Sequence, residues 1–145
     1  MILYAKDKAE LSNTRMEKAR EFLSDARATF SDKRYRTSVN RAYYASLNAV
    51  RAILILEGVN PETHEGAVTL LSLRFIKPGI LPVDIIKKFK ILLSRRTDVD
   101  YGDFDTIDAN DAEDSLKDAE EIILTIDSER KKIMAELNEA EKKIN

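Results

Sequence analysis

KRYRTSVNRAYYASLNAVRAILILE, residues 33–57, is the most legible helix of the chain. At about 100° per residue, Tyr35, Val39, Tyr43, Val50, Ile53 and Leu54 gather on one side. The other side carries Arg34, Thr37, Arg41, Tyr44, Asn48 and Arg51, a basic strip with an aromatic ring and an amide set among arginines. The adjacent tyrosines therefore divide, Tyr43 toward a core and Tyr44 outward along the strip. A solvated face is the ordinary reason for such a strip. A surface that contacts phosphates or bases needs the same residue types.

What covers the apolar side must come from the rest of the chain. Residues 6–30 read as a helix, with Leu11, Met16, Ala19, Phe22, Leu23 and Ala26 inward, and Ser31-Asp32 breaks it and can cap the next. Gly58 stops the quoted helix, and Asn60-Pro61-Glu62-Thr63 restarts the chain. A shorter third helix runs to about residue 76, with Val68, Leu70, Leu71, Leu73 and Phe75 as apolar bulk. His64 falls in its first turn, where a lone histidine is ordinarily a hydrogen-bonded structural residue. Lys77-Pro78-Gly79 is a turn, and Pro82 suits the first turn of a fourth helix. Thr106 or Asp108 can cap a fifth, Asp108 and Asp111 having the spacing of a reciprocal cap. Leu116, Ala119, Ile122, Ile123 and Ile126 form its inner face. Residues 128–145 are helical in propensity but thinly apolar, an extension that projects, pairs with another chain or frays.

The fourth helix carries the anomaly. Ile85, Ile86, Phe89, Leu92, Leu93 and Val99 share a face, and Arg96 lands near the middle of that stripe with Asp100 one turn on. A guanidinium there cannot shed its proton, so it needs a carboxylate, a wet groove or a ligand. Gly102 ends the helix and leaves Tyr101 and the acids after it at the mouth of whatever Arg96 faces.

The totals agree with helices. The chain has 145 residues, 43% hydrophobic and 34% charged, with four Gly and three Pro. That suits a helical bundle and argues against disorder or a sandwich. The length suits one domain over residues 1–145. No apolar run approaches the ~20 residues that span a bilayer, and no signal-peptide core is present, so a cytoplasmic protein without membrane contact is expected. Cysteine is absent and there is one His, which excludes a disulfide framework and a thiol nucleophile and makes a transition-metal site unexpected. Asp98, Asp100, Asp103, Asp105 and Asp108 lack the spacing of a Ca²⁺ loop, and no Gly-rich phosphate loop occurs; no metal or cofactor is expected. Residues 1–96 hold 18 Lys and Arg against 10 Asp and Glu, residues 97–145 hold 6 against 16. Oppositely charged helices lying side by side are the simplest account; a basic half that meets phosphates is the other.

Four pieces of the chain together resemble the HEPN domain, named for higher eukaryotes, prokaryotes and nucleotide binding. They are Tyr35-Arg36-Thr37-Ser38-Val39-Asn40-Arg41-Ala42-Tyr43-Tyr44-Ala45, then Glu57-Gly58-Val59, then Thr63-His64-Glu65-Gly66, and last Arg96-Thr97-Asp98-Val99-Asp100-Tyr101-Gly102-Asp103-Phe104. The resemblance is to the small stand-alone prokaryotic members and covers about residues 8–127, the expected core of the domain. It implies an all-α, up-and-down four-helix bundle with an additional short helix, dimerised with its groove between protomers. It also implies kinship with metal-independent ribonuclease toxins whose antitoxin is a minimal nucleotidyltransferase. Their motif is an Arg, four to six residues, then a His; here Arg96 matches and Tyr101 stands in the place of the His. A phenol with an ordinary pKa of ~10 is a poor base. Some such toxins are silenced when the transferase adds AMP to a tyrosine near the motif, and Tyr101 loosely resembles that position.

The expected function is RNA or nucleotide binding by a homodimer, non-catalytic or weakly active, acting with a nucleotidyltransferase partner. Arg41, Tyr44, Asn48, Arg51, His64 and Arg96 are the expected binding residues. Arg96, Asp100 and Tyr101 are the catalytic set if cleavage occurs, and Tyr101 is the candidate for modification. The alternatives are an active metal-independent ribonuclease toxin and a purely structural dimeric assembly subunit.

Overall fold

The computed structural model describes residues 4–102 and 106–144. Its regular structure among these residues is all helical: α1 (Ala5–Ser31), α2 (Tyr35–Leu54), α3 (His64–Leu71), α4 (Val83–Tyr101) and α5 (Ala109–Ile144). A 3₁₀ turn, Ile55–Glu57, prolongs α2, and a π turn, Ser72–Ile76, prolongs α3. The bundle expected from the sequence is the fold observed.

The helix α2 lies at the centre, packed against α1, α4 and α5. Its apolar side is buried as the periodicity requires: Val39, Tyr43, Val50, Ile53 and Leu54 are fully enclosed. Small residues Ala42, Ala45, Ala49 and Ala52 are buried beside them and let neighbouring helices approach. From α1 come Met16, Ala19, Leu23 and Ala26, from α4 Ile85, Ile86, Phe89 and Leu92, and from α5 Ala119, Ile122 and Ile126. Leu11 and Leu73, expected inside, are 39% and 51% exposed. In α1 the buried row begins instead at Ser12, four residues before Met16, and Ser12 Oγ donates to Ala52 O at 2.6 Å.

The helix ends follow backbone chemistry. Ser31-Asp32 does not cap α2. Lys33, at φ 62°, closes α1, with Lys33 N–H donating to Phe30 O at 2.9 Å and Arg34 N–H to Thr29 O at 2.8 Å. Arg34 then occupies the position before α2, two residues beyond Asp32, with no side-chain cap. Gly58 closes the next end in the same way at φ 74°, the left-handed region where a side chain would be strained. Thr63 Oγ1 accepts from Gly66 N–H at 2.9 Å and starts α3. Asp108 and Asp111 exchange backbone-to-carboxylate hydrogen bonds at 3.1 and 2.9 Å, the reciprocal cap expected for α5. Gly102 ends α4 with extended backbone rather than a left-handed turn, and a Cβ there would meet Asp98 O at 2.5 Å.

The basic and acidic parts of the chain do lie side by side. Arg20 pairs with Asp127 at 3.1 Å, Arg27 with Glu120 at 3.1 Å and Lys88 with Glu121. The last helix runs without a break to Ile144; Ile133 still packs on the core, and most of the residues that follow are exposed. No described helix is long and apolar enough to cross a membrane.

Candidate functional site

The apolar stripe of α4 faces α2, and it carries Arg96 inward with it. Arg96 is 9% exposed. Its Nε lies 2.8 Å from Asp100 Oδ2, yet the Nε proton has no aligned acceptor. Its Nη2 donates to Tyr44 Oη at 3.1 Å. Three rings surround the guanidinium carbon, Tyr43 at 5.9 Å, Tyr44 at 5.6 Å and Tyr101 at 5.5 Å, each within cation–π range. Burial alone would lower the Arg96 pKa, but Tyr44 and Asp100 outweigh it and hold the group above its ordinary value. Arg96 is therefore a permanent cation in an aromatic collar.

The collar is anchored from three helices. Asp100 Oδ1 accepts from Asn40 Nδ2 at 3.2 Å, tying α4 to α2. Tyr43 stacks on Phe89 with ring centres 5.8 Å apart and 8° between planes, and its hydroxyl meets His64 Nδ1 at 2.6 Å. Burial pushes the Tyr43 phenol far above its usual pKa, and Arg96 offsets only part of that. Burial pushes His64 down, helped by Arg96 and opposed by Glu65, so its ring is neutral near pH 7. Tyr101 is 72% exposed and closes the collar from outside.

Beside Asp100 a cleft of about 500 Å³ is lined by Arg36, Thr37, Asn40, Arg41, Val99 and Asp100. The guanidinium of Arg41 lies over the Phe22 ring at 5.5 Å. Among the residues expected from sequence, Arg96, Asp100, Tyr101 and Tyr44 thus meet directly, His64 joins through Tyr43, and Arg41 walls the adjoining cleft. The other two are engaged elsewhere. Asn48 Nδ2 donates to Tyr44 O in its own helix at 2.8 Å. Arg51 Nη2 donates to Pro61 O at 3.0 Å and fastens the chain before α3, although its charge is one of those that lower the pKa of His64. Asp103, Phe104 and Asp105 lie outside the described residues. Among those described, no group of three His, Cys, Asp or Glu could hold a metal ion.

Two site residues escaped the sequence reading. Asn40 lies one turn before Tyr44, beside the strip, and the spacing alone could have found it. Tyr43 reads as core because its ring is core; only its hydroxyl takes part in the site. Chemically, the arrangement offers fixed positive charge, hydrogen-bond donors and ring faces. These are the groups that phosphates and bases recognise. The Tyr43 phenol is firmly protonated, and Nδ1 of His64 is engaged with it.

A family model of the HEPN domain matches residues 12–131. The chain belongs to the HEPN domain family. A UPF0332 protein of Thermotoga maritima is 29% identical over 103 residues, 71% of this chain and 78% of that relative. The protein named "Putative toxin MJ0605" of Methanocaldococcus jannaschii is 37% identical over 79 residues, 54% of this chain and 59% of its own length. The crystal structure of TT1696 from Thermus thermophilus superposes with a TM-score of 0.71 at 18% identity, covering 81% of this chain and 97% of that one. The last likeness is one of fold alone. Family membership is what the four sequence pieces implied, and the relatives place a toxin name among the chain's similar proteins.

Proposed function

We propose that this HEPN protein binds RNA or a nucleotide at the Arg96 collar, and that it is a non-catalytic or very slow relative of the HEPN toxins. One observation carries the reading: an arginine buried in an apolar stripe, with one carboxylate, one tyrosine hydroxyl and a proton left without an aligned acceptor. Such a group keeps donor capacity that a phosphate oxygen can fill. In this reading Arg96, Tyr44 and His64 hold the ligand and Arg41 guides its backbone along the cleft. Tyr101 stacks at the mouth. The chain works as one cytoplasmic domain and as a symmetric dimer that joins the α2–α4 faces of two copies around the groove. The toxin-named relatives support a toxin–antitoxin setting; in this reading the partner is the nucleotidyltransferase that the family resemblance implies, with Tyr101 as the residue it would modify.

An active ribonuclease toxin is the second reading, and the toxin-named relatives fit it as well. Cleavage without metal needs a group to take the proton of the attacking 2′-hydroxyl, and Arg96 cannot. Binding of a labelled single-stranded RNA and of AMP, followed by anisotropy across a salt series, tests the proposal. Affinity should fall steadily with salt as phosphate contacts release counterions. The same RNA should remain intact with or without EDTA. No binding at low salt, or rapid EDTA-resistant cleavage, contradicts the proposal.

A further inference from the structure

Resting on that reading, we propose that His64 is a ligand-binding donor locked in one tautomer, presenting Nε2–H to a phosphate oxygen alongside Arg96. The lock is the buried hydroxyl of Tyr43. Tyr43 has no exposed surface, and its hydroxyl has one hydrogen-bond partner among the described residues, Nδ1 of His64 at 2.6 Å. If Nδ1 carried the proton, the Tyr43 hydroxyl proton would be buried without an acceptor, a loss the folded state avoids. Tyr43 therefore donates, Nδ1 accepts, and the imidazole proton sits on Nε2. The half-buried ring leaves that nitrogen without a hydrogen-bond partner among the described residues.

The placement puts His64 and Arg96 against the same two rings. His64 lies 5.5 Å from the Tyr43 ring centre and 6.4 Å from that of Tyr44; the Arg96 guanidinium carbon lies 5.9 and 5.6 Å from them. A phosphate in front of the tyrosine pair would meet a charged fork on one side and a neutral N–H on the other. Thr63 and Gly66 fix the ring's origin, since the Thr63 cap begins α3 one residue before His64 and a Cβ on Gly66 would press on its Oγ1 at 2.8 Å. The device also has a chemical consequence. A histidine whose basic nitrogen is taken by a phenol cannot serve as the base that Tyr101 fails to be.

His64 is the chain's single histidine, so its ring can be read without assignment. Long-range ¹H–¹⁵N correlation on the free protein at neutral pH should show Nε2 protonated and Nδ1 not, and Tyr43→Phe should shift the ring to a tautomer mixture. In anisotropy with labelled single-stranded RNA, His64→Ala should weaken binding about tenfold, and His64→Gln, which keeps a donor near Nε2, should recover most of it. A protonated Nδ1 in the free protein overturns the lock. Unchanged binding in His64→Ala, with Arg96→Ala weakened, overturns the donor role and leaves the proposed function standing. Absence of RNA binding in the unmutated protein overturns both.

Discussion

Arg130 and Arg96 are both nearly lost to solvent, at 3% and 9% exposed, and the bundle treats them in opposite ways. Arg130, on α5, is saturated. Its Nε and Nη2 donate to Asp127 Oδ1 at 3.1 and 2.8 Å, and its Nη1 donates to Asn13 Oδ1 at 2.6 Å and Ser12 Oγ at 3.3 Å. Every arm of the fork ends on protein, and the group fastens α5 to α1. Arg96 has one poorly aligned carboxylate, one hydroxyl and three ring faces. Burial of an arginine is thus not the mark of a site in this molecule. The unfinished hydrogen bonding is.

The comparison predicts different costs. Arg130→Ala should destabilise the protein by about 3 kcal/mol in urea unfolding, the lower end for breaking a buried ion pair, because Arg20 and Lys131 remain near Asp127. Arg96→Ala should cost less than half of that. Equal losses would erase the distinction.

Acid sharpens it next. Burial raises the Asp127 pKa, but hydrogen bonds from Arg130 and Lys131 and the charges of Arg130 and Arg20 outweigh burial and hold it below the ordinary value. A carboxylate depressed in the folded state stabilises above its unfolded pKa of about 3.9 and loses that contribution as pH falls. The urea midpoint of the unmutated protein should therefore exceed that of Asp127→Asn at pH 6, and the gap should begin to narrow as pH falls below about 4. A gap that does not narrow at all between pH 4 and pH 2 would show that the carboxylate's charge is not what fastens Arg130.

The smallest effect concerns the support of the Arg96 side. Thr63→Ala removes the cap of α3 and should cost about 1 kcal/mol. It should also loosen the His64–Tyr43 contact, so that the single histidine titrates closer to its ordinary value in NMR. An unmoved titration would mean that α3 holds His64 without its cap.

Arg96 was legible because the stripe from Ile85 to Val99 is local: one helix, one period, one charged residue out of place. The same reasoning found Gly58, the Asp108–Asp111 cap and the inward face of α2. Arg130 was not legible, since it sits in the thinly apolar stretch after Asp127, and its burial depends on Ser12 and Asn13 from the far end of the chain. A partial signal existed. Ser12 falls on the 3.6-residue row of Met16, Ala19, Leu23 and Ala26, where a serine inside needs a polar partner. The hydroxyl of Tyr43 was hidden for another reason: a wheel places rings, not the atoms at their tips. In the site, Arg96, Asp100, Tyr101 and Tyr44 came from pattern, and their joining to His64 came only from the packing of α3 on α2.

The central claim is that Arg96 is buried to bind rather than to hold the fold, and one paired measurement on Arg96→Ala reaches it most directly. Unfolding should report a folded, cooperative variant, while anisotropy with labelled single-stranded RNA at low salt should report affinity weakened by about 1–3 kcal/mol, the range for a charge-assisted contact. A folded variant that binds as the unmutated protein does would contradict the account and make Arg96 a second Arg130.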